Sequence, residues 1–143
     1  MRVWRICRRR FADLSGEGAR LHGGRWNSPG RAVVYAAEDA ALAALEIRVH
    51  LDLDWDLLPD DYVLMAIELP ARKAQEAVAP PGEARREGDA WLASGASALL
   101  KVPSAIIPES FNVLLNPAHR DFASAAIASL RDFAFDKRLW RPR

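Results

Sequence analysis

The sequence predicts a single domain that mixes strands and helices, on three observations. A chain of 143 residues, 50% hydrophobic and 27% charged, is long enough to bury one core without disulfides or metal. Apolar runs of strand length, bounded by Gly, Pro, Asn and Asp, recur along it. Helical pattern is confined to a few short stretches, the clearest from about Asp39 to His50.

Val3 to Cys7 alternates as a first strand, and Arg8-Arg9-Arg10 after it reads as a solvated strand end. Asp13 to Gly18 is turn-rich. The segment from Gly18 to His50 organises the chain. It holds a glycine-loosened loop with Arg20 and Arg25, a turn at Asn27-Ser28-Pro29-Gly30, a buried strand from Ala32 to Ala36, and the helix. Glu38 and Asp39 suit the N-cap or first turn of that helix. Leu42, Leu45 and Val49 share one of its faces, with Glu46 beside them.

Leu51 to Asp61 is acidic, but Asp52, Asp54 and Asp56 lack the glycine and terminal glutamate of a calcium loop, so a solvated connection is expected. Tyr62 to Leu69 is apolar almost throughout, which predicts a central strand, ended by Pro70. Ala71 to Asp89, with Pro80-Pro81-Gly82, reads as a surface excursion, and Trp91 to Ala98 as a short helix interrupted by Gly95. Leu99 to Ile107 resumes an apolar strand around Pro103-Ser104, and Phe111 to Leu115 is another, closed by Asn116-Pro117. A helical turn near His119 and a late strand running through Phe135 complete the chain.

The net charge of +1 gives no electrostatic reason for a nucleic-acid or anionic-membrane partner. A lone cysteine, Cys7 in an apolar run, reads as a buried structural residue in a reducing cytoplasm. Arg2, Arg5 and Arg8 interrupt any leader-like apolar segment, and no apolar run approaches the roughly 20 residues of a membrane span. A soluble cytoplasmic protein is expected.

The chemistry-bearing residues gather in the central segment. Gly23-Gly24 between Arg20 and Arg25 suits a loop where guanidinium forks and backbone N–H groups share an anion, without the spacing of a P-loop or a dinucleotide fingerprint. Tyr35, near the end of its strand, is either a ligand-facing ring or a packed aromatic whose hydroxyl finds a partner. Glu46 must be paired, displaced in its titration or open to a pocket. Its pairing candidates are Arg48, Arg20 and Arg25. An anionic ligand with a ring and a polar sugar suits such a set.

Seven pieces in order carry a resemblance that runs nearly end to end: Val-Trp-Arg-Ile, Gly-Gly-Arg-Trp-Asn-Ser-Pro-Gly, Val-Val-Tyr, Ala-Leu-Glu, Val-Pro-Ser-Ala, Asn-Val-Leu-Leu-Asn-Pro-Ala-His and Phe-Asp-Lys-Arg-Leu. The chain resembles the RES-domain proteins, the toxin half of Xre–RES type II toxin–antitoxin systems. The resemblance implies a single compact α+β domain similar to ADP-ribosyltransferases, a mixed sheet with flanking helices, and a site for NAD as substrate with no metal. It implies an enzyme that cleaves the nicotinamide–ribose bond by hydrolysis or phosphorolysis and arrests bacterial growth. A protein mono-ADP-ribosyltransferase is the alternative, and a non-catalytic module that binds its antitoxin is the reading of another class. The implied partner is an Xre-like helix-turn-helix antitoxin, with DNA reached only through it.

The family's Arg, Glu and Ser fall on Arg25, Glu46 and Ser104, and its tyrosine on Tyr35. On that basis Glu46 would stabilise positive charge on the ribose, and Arg25 would hold the pyrophosphate with Arg20 as second cation. Tyr35 would stack on nicotinamide or ribose, and Ser104 would hydrogen-bond one of them. His22 reads as a loop residue, and His119 as a cap or brace of the C-terminal turn.

Overall fold

The computed structural model describes residues 1–70, 74–78, 80 and 82–140. Within these residues seven strands form one mixed sheet: β1 (Arg2–Arg8), β2 (Val34–Ala37), β3 (Tyr62–Glu68), β4 (Gln75–Glu76), β5 (Leu99–Pro103), β6 (Phe111–Leu115) and β7 (Ala126–Asp132). Their spatial order is β4-β5-β6-β2-β1-β3-β7, antiparallel throughout except for the β4/β5 pair. Among the described residues three α-helices accompany it: α1 (Glu17–His22), α2 (Ala40–His50) and α3 (Ala84–Ser94). The expected α+β class and mixed sheet are what the chain forms.

Alternate residues of the strands feed opposite faces, as the period of two demands. Val34, Met65, Leu99 and Val113 pack on one face with Val3, Leu69 and Phe122. On the other, α2 sets Leu42 and Ala43 against Ile6, Ala37 and Leu64, and α3 sets Ala84, Trp91 and Leu92 against Leu100, Val102 and Leu114. The Asp39 side chain caps α2 by accepting from the Leu42 N–H at 2.7 Å, which satisfies one of the donors a helix start leaves open.

Four expectations change. Strand β3 is almost wholly buried but is not central: β7 covers its outer edge, and β2 holds the middle of the sheet. The turn-rich reading of 13–18 misses α1, which begins at Glu17 behind an Asp13–Ser15 turn. Helix α3 starts at Ala84, inside the stretch read as surface excursion, because Ala84, Gly88, Trp91 and Leu92 form its buried stripe; Gly95 ends it rather than interrupting it. Strand β5 stops at Pro103, because Ser104 turns the chain by accepting from the Ile106 and Ile107 N–H groups. Of the excursion itself, 71–73, 79 and 81 lie outside the described residues.

The basic run after β1 is tied down on one side: Arg8 bonds Asp61, Arg9 bonds Asp132, and Arg10 lies over the Phe11 ring at 4.8 Å. Asp52, Asp54 and Asp56 are exposed on the connection to β3. Cys7 is buried, and that burial raises its thiol above the ordinary range, so the thiolate needed for nucleophilic chemistry is disfavoured. His119 accepts from the Asp121 N–H through Nδ1 at 3.0 Å and so caps the turn at Arg120–Ser124. Among the described residues no helix is long and apolar enough to cross a membrane.

Candidate active site

The sheet is parted at its middle. Strands β1 and β3 pair through seven residues, and β2 and β6 through four, yet β1 and β2 meet only at Trp4 and Ala37. Beyond that bridge the Arg5 side chain takes over from the ladder, donating from Nη1 to the Tyr35 carbonyl at 3.0 Å. A cavity of about 730 Å³ opens there, on the size scale of small-molecule and cofactor sites. Trp4, Tyr35, Glu46 and Asn112 line its inner wall, and His22, Gly24, Arg25 and His50 line it from α1, the following turn and the end of α2.

The turn that carries Arg25 is held from three sides. Gly24 and Asn27 exchange backbone hydrogen bonds at 3.0 and 3.4 Å. Gly23 adopts φ 71°, where only glycine is comfortable. Gly24 has no room for a side chain, since a Cβ there would meet the Tyr35 hydroxyl at 2.7 Å. Asn27 is fully buried: its amide nitrogen donates to the Ala19 carbonyl at 2.9 Å, and its Oδ1 accepts from the Tyr35 hydroxyl at 2.6 Å. Helix α3 closes the third side with Arg85 donating to the Gly24 carbonyl, Gly88 against Trp26, and Asp89 accepting from the Ser28 N–H and hydroxyl at 2.8 and 2.5 Å.

Tyr35 has the hydroxyl partner of the packed reading and also lines the cavity. Its ring faces the cavity, and its hydroxyl donates to Asn27 while accepting from the Trp26 N–H at 3.0 Å. Burial pushes that hydroxyl up to about 12 from an ordinary value of 10.0. A phenol whose proton is held more tightly in the folded chain contributes stability that is intact below about pH 10 and lost as pH rises toward about 12. Thermal melts between about pH 9 and pH 12 should fall more steeply for the wild type than for Tyr35→Phe, which lacks the group. Parallel curves would show that this hydroxyl is not clasped as described.

Glu46 projects from α2 into the cavity and meets two neutral donors at one oxygen. Its Oε1 accepts from the Ser104 hydroxyl at 2.7 Å and from the Asn112 amide at 2.9 Å. None of the candidate arginines pairs with it. Arg20 is taken by Glu17 at 2.5 Å, Arg48 donates to the Leu51 and Leu139 carbonyls and lies over Trp140, and Arg25 makes no ion pair among the described residues. Glu46 likewise makes no ion pair among the described residues, and its Oε2 has no donor among them.

The structure thus brings Arg25, Tyr35 and Glu46 to one cavity. Arg20 lies on α1 outside the lining, neutralised by Glu17 one turn before it. Ser104 is buried behind Glu46, with its hydroxyl donated to the carboxylate, so its place is to hold Glu46 and not to reach into the cavity. The neighbouring Ser97 points elsewhere, accepting from the Trp91 indole at 2.9 Å.

Sequence reasoning missed Arg5 and Asn112. Each is a polar residue flanked by apolar ones within a strand, and that interruption was the available signal. Arg5 lines the cavity, and its Nε is buried without a partner among the described residues. Together with Arg25 it provides cations not committed to carboxylates, which suits a phosphate-bearing ligand. Among the described residues no cluster of His, Cys, Asp and Glu is placed to hold a metal ion.

Comparison with known proteins shows the family and the fold. Residues 2–136 match the RES domain. The chain is 42% identical to a protein of a Sphingobium species named "Prs ADP-ribosylating toxin", over 90% of this chain and 88% of that one. It is 40% identical to a "Toxin Res" of Pseudomonas putida, over 98% of this chain and all of the relative, and 36% identical to one of Photorhabdus laumondii, over 97% of each. Among solved structures it is similar to a chain of the Mycobacterium tuberculosis MbcT–MbcA toxin–antitoxin complex, with a TM-score of 0.73 at 18% identity, covering 92% of this chain and 83% of the other. At that identity the likeness is one of fold.

Proposed function

Because the chain belongs to the RES-domain family, we propose that it is the toxin of a bacterial toxin–antitoxin pair and acts by cleaving the nicotinamide–ribose bond of NAD. The observation that carries this reading is the Glu46 carboxylate, fixed by two neutral donors, paired with no cation among the described residues and open to a cavity of about 730 Å³. Breaking that glycosidic bond builds positive charge on the ribose, and a carboxylate whose charge is not already neutralised stabilises it most. The leaving group takes the bonding electron pair and departs as neutral nicotinamide, so no general acid is needed. An acceptor oxygen then bonds to the ribose carbon and releases its proton.

Arg25 and Arg5 are placed to hold the pyrophosphate, and the Tyr35 and Trp4 rings to flank the flat or sugar portions of the ligand. Acceptors of three kinds fit the same first step: water, phosphate or a protein side chain. The protein-acceptor reading is favoured by the relative named for ADP-ribosylation, at 42% identity. The implied partner is an Xre-like antitoxin, and the substrate places the activity in the cytoplasm.

The test is to incubate the purified protein with NAD and follow nicotinamide release. Release is expected, with the second product identifying the acceptor: free ADP-ribose for water, its 1-phosphate for phosphate, or a labelled adduct in a cell extract for protein. No release under any of these three conditions would overturn the reading.

A further inference from the structure

The way Glu46 is held points to a residue outside the family's Arg, Glu, Ser and Tyr positions. We infer that Asn112 is a positioning residue which, with Ser104, pins Glu46 by Oε1 and leaves Oε2 as the oxygen that meets the ribose, an assignment that rests on the NAD-cleaving reading above.

Asn112 lies on β6, opposite Ala37 of β2 on one side and Val102 of β5 on the other. Its strand neighbours Val113, Leu114 and Leu115 are fully buried and apolar, so a carboxamide here has few partners. Its Nδ2 donates to Glu46 at 2.9 Å, across 66 residues of sequence, while Ser104 reaches the same oxygen from the end of β5. Two donors, from the end of β5 and from β6, 58 and 66 residues beyond Glu46, therefore converge on one carboxylate oxygen.

The chemical type of the donors matters. Lysine or arginine in these places would hold Glu46 equally well but would cancel the charge it needs for the developing ribose cation. An amide and a hydroxyl are neutral donors, so they fix the side chain and leave its charge intact. Two donors on one oxygen also restrain rotation about the last side-chain bond, which otherwise exchanges Oε1 and Oε2. The restraint has kinetic weight, since a displacement of about 1 Å in a reacting group costs about 100-fold in rate.

The experiment uses two substitutions of Asn112 and one double variant. Asn112→Ala removes the donor, and Asn112→Asp keeps the shape but sets a second carboxylate against Glu46. Nicotinamide release should fall about 100-fold in kcat for Asn112→Asp and about tenfold for Asn112→Ala. KM for NAD should stay within about threefold in both, because the cations that hold the pyrophosphate are untouched. A residue that merely packs would change both constants or neither.

The second readout is independent of catalysis. Asn112→Asp should lower the melting temperature by about 5 °C in the wild-type background and by under about 1 °C when combined with Glu46→Gln, whose amide can donate to the introduced carboxylate. Equal losses in the two backgrounds would overturn the contact. If the melts behave as expected but no preparation releases nicotinamide, the clamp stands and the NAD-cleaving reading falls. If the wild type releases nicotinamide and kcat is unchanged in Asn112→Asp, the positioning role falls alone.

Discussion

Glu46→Gln should lower nicotinamide release by about a thousandfold while leaving the fold in place, the scale on which enzymes lose rate when one charge-stabilising group is removed. The substitution is well matched to the site. A glutamine side chain keeps the carbonyl oxygen that Ser104 and Asn112 address at 2.7 and 2.9 Å, so the local network survives. What disappears is the negative charge, and with it the attraction that grows as the ribose becomes cationic. NAD binding should change little, because the substitution leaves Arg25 and Arg5, the residues proposed to contact the phosphates, untouched. The enzyme assay, a melting temperature within about 2 °C of wild type, and NAD levels in cells expressing either form together check this. Turnover within tenfold of wild type in a folded variant would remove Glu46 from the chemistry.

Gly88→Ala should be among the most damaging single-methyl changes in the chain. A Cβ at Gly88 would lie 1.7 Å from the Trp26 carbonyl oxygen and 2.7 Å from the carbonyl carbon, far inside contact distance and against backbone that cannot rotate aside. Helix α3 must then retreat from the turn it holds, lengthening the Arg85–Gly24 and Asp89–Ser28 bonds on either side of the clash. Overpacking of this kind costs about 3 kcal/mol, and in a domain of this size a loss that large lowers the melting temperature by about 10 °C. Activity of the surviving folded fraction should fall as well, since the displaced turn carries Arg25. A melt unchanged within about 2 °C would show that α3 does not bear on Trp26 as described.

Much of the architecture was legible because continuous apolar runs and one well-capped helix announce themselves. Strands β3, β5 and β6 and helix α2 each contain such a run, and Asp39 sits where an N-cap belongs. Helix α1 was not legible, having six residues, an internal Gly18 and no buried side chain of its own. The start of α3 was hidden by Arg85, Arg86, Glu87 and Gly88, which dilute its apolar stripe until Trp91. Placing β3 at the centre failed because burial on both faces marks any interior strand, and β3 is interior by one place only, with the exposed β7 as the edge beyond it.

The candidate site divides along the same line. Arg25, Tyr35 and Glu46 stand in one stretch of chain, where glycines, a strand and a helix bring them together within about twenty residues of sequence. Arg5 and Asn112 come from strands whose pairing determines where they arrive, and pairing between distant strands is not written in either strand alone. Arg20 illustrates the opposite error. Its sequence neighbourhood suggests an anion loop, but the helix it belongs to supplies Glu17 at the i−3 position, and the local ion pair wins.

The parting of the sheet between β1 and β2 also constrains the molecule's topology. One side of the seam contains β1, β3 and β7, and the other contains β2, β4, β5 and β6. Following the chain, the polypeptide passes from one side to the other after β1, after β2, after β3 and again after β6. The halves are laced together by four crossings, so no single cut in the backbone releases either of them as a fragment. The cleft is consequently not a boundary between two units that drift apart. It is a slit in one woven fabric, and a dinucleotide lying in it would be gripped from both sides by a chain that cannot let go of itself.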